Sequence, residues 1–280
     1  MEESHRRHLV STLAHIGITT KYNFVNYFRA RRFYVMLIIV LLITGLLTAA
    51  IAYYRPPAFL GADALAFYGA GWGRFVSFVV ILSTAFFGGD AISGEFQNKT
   101  GYFLIPNPIR RSAIYIGKWS AALAASTIVL GIFALILVAN GIYYFGTSIP
   151  WQFDQSFLFA WMFLVAALSL TFAFSSLFKS SSISILMSVI LLLFVFGVID
   201  AVSEDVIGIE PWFSITYGAG IVANVLSSTF PPHLLTETVG RFSITTYNAT
   251  IPEGLAILAA YFVVTAALGL WLFEKKEFTS

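Results

Sequence analysis

The chain alternates between long apolar stretches that are nearly free of charge and short segments that hold most of its charged residues. A transmembrane helix needs roughly 20 apolar residues to cross about 30 Å of hydrocarbon. Six stretches meet this requirement, and they predict spans at residues 33–54, 71–93, 119–145, 156–178, 180–200 and 253–273. The pattern therefore predicts an all-α polytopic membrane protein with a single transmembrane domain over residues 1–280.

The composition agrees with this prediction. Of the 280 residues, 58% are hydrophobic and 11% are charged, whereas soluble domains carry about 25% charged residues. A chain with so few charges cannot cover a water-facing surface of this size, so we expect membrane lipids around it and no nucleic acid. The absence of Cys excludes a disulfide scaffold, a thiolate metal site and thiol redox chemistry.

The Lys and Arg residues predict the orientation of the spans. With six spans, 13 of the 16 fall on one side, and only Arg55, Arg74 and Arg241 fall on the other. The basic side should be cytoplasmic, which places both termini in the cytoplasm of a multi-pass protein of the cell (plasma) membrane. The loop 201–252 is then extracytoplasmic, and within it residues 212–226 predict a short helix that lies at the membrane interface or dips into it, with a full seventh span as the disfavoured alternative.

The acidic residues at the start of this loop form a local cluster. They are Asp200, Glu204, Asp205 and Glu210. Carboxylates suit hard cations, but a solvated acidic rim is the favoured interpretation, and we predict no metal site.

Residues 9–32 have an amphipathic pattern. Apolar residues recur at three- and four-residue spacing, with basic and polar residues between them; they are Leu9, Leu13, Ile16, Phe24, Tyr27 and Phe28. This pattern is typical of a helix in the headgroup plane whose Lys and Arg reach lipid phosphates. The alternative is a charged flank that only sets the topology.

Residues 94–112, between the second and third spans, hold the richest local chemistry. Asn107 before Pro108 predicts a helix N-terminus that leads into the third span. Upstream, apolar side chains lie among charged ones on the aqueous side of the membrane. They form either a docking surface for a protein partner or aromatic anchors at the interface.

The order of residues in this segment resembles the first cytoplasmic loop of type 2 ABC exporter permeases. The matching positions are Glu95, Thr100-Gly101, Leu104, Pro108 to Arg111 and Gly117-Lys118, after the second of six spans. The resemblance implies a short cytoplasmic coupling helix that sits in a groove of an ABC ATPase subunit. The implied coupling surface comprises Glu95, Phe96, Thr100, Gly101, Phe103, Leu104, Arg110 and Arg111.

The resemblance also implies a non-catalytic subunit that works with a second permease copy, as a homodimer, and with separate ATPase chains that bind ATP and magnesium. The sequence contains no Gly-x4-Gly-Lys-[Ser/Thr] motif for phosphate binding. We therefore predict no catalytic residue and no cofactor bound by this chain.

Two span faces are candidates for a substrate pathway or a dimer seam. Serines recur every four residues at the start of the fifth span, including Ser184 and Ser188, and small residues allow close helix packing. Packing is the favoured interpretation. Phe75 and Phe78 of the second span either line an apolar route or face lipid.

The resulting hypothesis is the permease subunit of an ABC exporter. One alternative is a non-transporting membrane scaffold or immunity protein that recruits a soluble cytoplasmic partner. Another is an ion-coupled secondary transporter, which is disfavoured because the predicted spans carry almost no ionisable residue near the bilayer midplane.

Overall fold

The computed structural model describes residues 12–55, 63–98, 110–147, 149–239 and 242–275. This part of the chain contains six helices long and apolar enough to cross a membrane. The predicted all-α polytopic fold with six spans is confirmed.

The N-terminal half has four principal helical segments. Helix α1 (Thr12–Arg29) precedes the first span, α2 (Arg31–Tyr54). The second span covers Ala64–Gln97. It comprises α3 (Ala64–Tyr68), a π-helical segment (Gly69–Gly73), α4 (Arg74–Gly88) and, after a turn, α5 (Ser93–Gln97). The third span is α6 (Arg111–Phe145).

The C-terminal half contains the other three spans, two short helices and a two-stranded hairpin. The fourth span is α7 (Trp151–Leu177). The fifth covers Ser181–Ile207 and contains α8 (Ser181–Ile190) and α9 (Phe196–Ala201), each followed by a π-helical segment. Short helices α10 (Ile215–Ala219) and α11 (Ile221–Asn224) and strands β1 (Leu234–Val239) and β2 (Phe242–Tyr247) precede the sixth span, α12 (Ile251–Lys275).

Several helix boundaries differ from the predicted span limits, and local geometry explains three of the differences. The second span begins earlier because Asp63 caps it, its carboxylate accepting the Ala66 N–H at 2.7 Å. The fifth continues to Ile207 and ends at Gly208, whose φ of 71° is left-handed. The third begins at Arg111 because Arg110 is extended, and the predicted cap residues 107–108 lie outside the described residues.

The spans differ in how far the rest of the chain encloses them. The second and fourth spans are the most enclosed, whereas the first, fifth and sixth leave most of their surface uncovered. The core contains large aromatic side chains, with Trp72 stacked on Phe133 and in edge contact with Phe153. We call the end of the bundle with Arg31 and Lys118 the basic end, and the end with Asp200 and Glu210 the acidic end.

The segment predicted as a single interfacial helix, residues 212–226, instead forms α10 and α11, which pack into the acidic end. Ile215, Ile221 and Val222 are buried. The Ser156 hydroxyl of the fourth span donates to the Val222 carbonyl at 2.5 Å and accepts from the Trp72 indole N–H at 2.9 Å. Hydrogen bonds therefore hold this part of the loop to the second and fourth spans.

The β-hairpin is an element that the sequence analysis did not predict. Its strands pair antiparallel, from Leu234 opposite Tyr247 to Val239 opposite Phe242. The strands are rich in Thr and other β-branched or aromatic residues, which favour strands. This composition is the feature of the sequence from which the hairpin could have been predicted.

Candidate functional site

A polar cavity of about 320 Å³ lies at the basic end, between α1, the end of the second span and the third span. Charged and amide side chains are prominent in its lining, and they include Asn23, Asn26, Asp90, Glu95, Asn98 and Lys118. The groups around it connect the segment that precedes residues 99–109 to the rest of the bundle.

Lys118 is the central cation of this network. Its residue is 7% exposed, and a buried ammonium group requires a charged or hydrogen-bonding partner. The Nζ atom lies 2.5 Å from Glu95 Oε1 and donates to the Ala91 carbonyl at 3.0 Å. Glu95 on α5 is thereby joined to the Gly117-Lys118 pair of the third span.

Helix α1 packs against the same region. The Tyr27 hydroxyl donates to the Phe87 carbonyl at 2.8 Å, and Arg32 at the start of the first span forms an ion pair with Asp90. Burial raises the pKa of the Tyr27 hydroxyl above its ordinary value, so it remains a donor. A Cβ on Gly117 would lie 2.6 Å from the Thr19 Cβ, so the glycine permits the close approach of α1 to α6.

The surroundings of α1 differ in part from the predicted membrane interface. Tyr27 and Phe28, assigned to the apolar face, pack against the protein core. On another side of α1, apolar residues are exposed, with Ile18 at 50%, Tyr22 at 68% and Val25 at 38%. The helix thus has a protein-facing side and a second apolar side.

Short helix α5 connects the second span to two further spans. The Ser175 hydroxyl of the fourth span accepts the Ile92 and Ser93 backbone N–H groups, both at 2.9 Å. The Gln97 side-chain carbonyl accepts the Ser181 N–H at 2.7 Å and so satisfies a free backbone donor at the start of the fifth span. Together with the Lys118 ion pair, these bonds join α5 to the third, fourth and fifth spans.

The second and fifth spans also approach each other closely at the basic end. A Cβ on Gly89 would lie 3.0 Å from the Ile185 Cα atom. Ser184 and Ser188 are fully buried, on a helix that packs against α4 and α7. The structure therefore places both serines inside the chain, and the surface open to a second subunit or to lipid lies on another side of the fifth span.

The other predicted pathway residues differ in exposure. Phe75 packs against the core, whereas Phe78 is 38% exposed. Of the four candidates, Phe78 alone has a substantial exposed surface.

The predicted coupling surface is only partly described. Thr100, Gly101, Phe103 and Leu104 lie outside the described residues. Glu95 pairs with Lys118, and Phe96 packs partly against the core. Arg110 is exposed, while the Arg111 guanidinium donates to the Glu274 carbonyl at 2.7 Å and so joins the third span to the sixth.

A family model described as ABC-2 family transporter protein matches residues 19–278. The chain belongs to the ABC-2 transporter family. The match begins within α1 and extends past the end of the sixth span, so it includes the whole network at the basic end. No curated protein matches the chain.

Membership identifies this ABC-2 protein as the multi-pass permease component of an ABC transporter. ABC-2 permeases are typically non-catalytic and generally work with an ABC ATPase. Of the residues that carried the resemblance in the sequence, Glu95 and Lys118 line the same cavity, and the adjacent Gly117 lies against α1.

Proposed function

We propose that this ABC-2 permease is the transmembrane subunit of an exporter, driven by ATP hydrolysis in a separate ATPase that docks at the basic end. The observation that carries the proposal is the set of bonds from α5 to three further spans. An element bonded in this way transmits a displacement to several spans at once. The sequence contains no phosphate-binding motif of its own, so in this proposal a separate chain would hydrolyse the ATP.

In this proposal, the docking and transmitting residues are different. Thr100, Gly101, Phe103 and Leu104, with the exposed Arg110, would contact the ATPase. Glu95 faces Lys118, and its role would be to keep α5 attached to the third span. Gln97 would pass the movement of α5 to the fifth span through Ser181.

The second and fifth spans would move together, because Gly89 allows them to touch. A second permease copy would complete the pathway. The fifth span offers it an apolar stripe in which Ile183, Leu186, Ile190 and Phe194 are between 37% and 63% exposed. The basic end would face the cytoplasm of the cell membrane, with both termini on that side.

The test is to co-express the permease with a candidate ABC ATPase from the same genome, purify the complex and measure ATPase activity in lipid nanodiscs. We expect Phe103→Ala to reduce co-purification of the ATPase. We expect Glu95→Ala to retain the ATPase but to reduce the stimulation of its activity at least about fivefold, since the ion pair that attaches α5 to the third span is removed.

Asp154→Asn provides a matched control. Asp154 is an exposed carboxylate in the first turn of the fourth span, at the acidic end, so its loss should change neither quantity. If Glu95→Ala and Phe103→Ala leave both binding and stimulation unchanged, the proposed coupling surface is wrong. An ATPase that binds without any stimulation would favour a scaffold, and transport driven by a proton gradient without ATP would favour a secondary transporter.

A further inference from the structure

Three side chains with metal-binding atoms meet at the acidic end, and they come from three separate segments. Glu210 follows the fifth span, His233 precedes β1, and Glu253 lies in the first turn of the sixth span. One ligand atom from each residue lies within 4.8 Å of the other two. His233 Nε2 is 3.4 Å from Glu210 Oε2, and His233 Nδ1 is 3.9 Å from Glu253 Oε2.

The orientation of the imidazole is set by the backbone. His233 Nδ1 lies 3.0 Å from the Asn248 carbonyl oxygen. A carbonyl only accepts hydrogen bonds, so Nδ1 carries the proton, and in the neutral ring Nε2 then presents its lone pair. That lone pair is directed at a carboxylate oxygen, which is also an acceptor. A cation or an additional proton between them is needed to make this contact favourable.

Both carboxylates are held in place by other groups. The Tyr217 hydroxyl donates to Glu210 Oε1 at 2.7 Å, and the Thr250 N–H donates to Glu253 Oε2 at 3.2 Å. Ligands oriented by hydrogen bonds of this kind are typical of protein metal sites.

We propose that Glu210, His233 and Glu253 bind one divalent transition-metal ion of the Zn²⁺ type, with water in the remaining position. Zn²⁺ accepts imidazole nitrogen and carboxylate oxygen at about 2.0–2.2 Å, which places two tetrahedral ligands about 3.4 Å apart. The Glu210–His233 pair already has this spacing. Glu253 now lies nearer the Nδ1 side of the ring. To reach an ion at Nε2, its side chain would rotate and exchange the 3.2 Å hydrogen bond from the Thr250 N–H for the metal.

The bound ion would link the fifth span, the hairpin and the sixth span on the side opposite the proposed ATPase. The site is independent of the proposed function, since it uses none of the residues at the basic end. Of the four residues in the acidic cluster that the sequence shows, it uses only Glu210.

The test is zinc binding by the full-length permease, purified in detergent and stripped with EDTA. Isothermal titration with Zn²⁺, in competition with a chelator, would compare wild type with the triple variant Glu210→Gln, His233→Gln and Glu253→Gln. We expect wild type to bind one equivalent more than the triple variant. Each single variant should lower the affinity for that additional Zn²⁺ ion at least about tenfold.

Two features of this design isolate the site. Glu204→Gln removes a nearby carboxylate that does not belong to the trio, so it should bind zinc like wild type. The other histidines, His5, His8 and His15, remain in every variant, so their zinc binding cancels in the comparison. Equal binding by wild type and the triple variant overturns the proposal.

Hydrogen exchange on the wild-type protein provides a second measurement that requires no variant. Zn²⁺ should slow amide exchange in peptides covering residues 208–217 and 245–254, and leave peptides from the basic end unchanged. Protection confined to other regions, or no protection at saturating Zn²⁺, would also overturn the proposal.

Discussion

At the scale of single residues, the structure depends on a few buried polar groups whose partners come from distant parts of the chain. Lys118 is paired with Glu95, which is 23 positions away in the sequence. Ser156 joins Trp72 to the Val222 carbonyl across 84 and 66 positions. An unpaired buried polar group is costly. The loss of stability on removing one partner should therefore depend on whether the remaining partner stays buried without a hydrogen bond or an opposite charge.

Glu95→Gln should be more destabilising than Lys118→Met. The first change leaves a buried ammonium without its carboxylate, at a cost of about 2–3 kcal/mol. The second removes the charge and leaves Glu95, whose side chain is 19% exposed, beside the polar cavity. Thermal unfolding in detergent would measure both, and the double variant should lose less stability than the two single variants added together.

Equal losses for the two single variants, with the double variant equal to their sum, would contradict a coupled pair at these positions.

Ser156→Ala should cost about 1–3 kcal/mol, because the Trp72 indole N–H is left buried without its acceptor and the Val222 carbonyl without this donor. Ser126→Ala is the matched control. Ser126 is equally buried, and its hydroxyl has no hydrogen-bond partner among the described residues. Chemical denaturation should give a lower free energy of unfolding for Ser156→Ala than for Ser126→Ala. Equal free energies of unfolding would contradict the role assigned to Ser156.

At the scale of elements, the packing of α1 on α6 is the contact most easily tested. Gly117→Ala should loosen this contact, since the new Cβ would lie 2.6 Å from the Thr19 Cβ and 3.1 Å from the Ile16 carbonyl oxygen. Overpacking of this kind costs about 1–3 kcal/mol. We expect faster amide exchange in peptides of α1 and earlier proteolytic cleavage there.

The control for this change is Gly131→Ala on the same helix. A Cβ at Gly131 would meet nothing within 4 Å, and Ala has the better helix propensity by about 1 kcal/mol. This variant should leave the exchange of α1 unchanged. If both variants behave alike, α1 does not pack across Gly117.

The elements also show what the sequence could and could not predict. The six spans follow from hydropathy, because burying about 20 apolar residues outweighs any local preference. The hairpin had only a modest signal in its Thr-rich strands. No short sequence motif predicts the hydrogen bonds from α5 and the residue before it to Ser175 and Ser181, since they join positions 82 to 84 residues apart.

The trio of Glu210, His233 and Glu253 was missed for the same reason. Its members are separated by 23 and 20 positions, and only the folding of the loop over the acidic end brings them together. By contrast, the family resemblance already pointed to Glu95 and Gly117-Lys118. In the structure, the ion pair between Glu95 and Lys118 connects them.

At the scale of the whole molecule, the two ends of the bundle differ in chemistry and in construction. The basic end carries α5 and its bonds to three further spans, and the acidic end is covered by α10, α11 and the hairpin. In the proposed coupling the basic end faces the cytoplasm, where ATP and the proposed ATPase would be available.

The most direct test of this orientation is cysteine labelling in intact cells. The chain contains no Cys, so a single introduced cysteine gives an unambiguous signal. Asn98 at the basic end and Ser228 at the acidic end are both exposed. With a membrane-impermeant maleimide, Ser228→Cys should be labelled in intact cells, and Asn98→Cys only after the membrane is permeabilised. Labelling of Asn98→Cys in intact cells, with Ser228→Cys protected, would contradict the account.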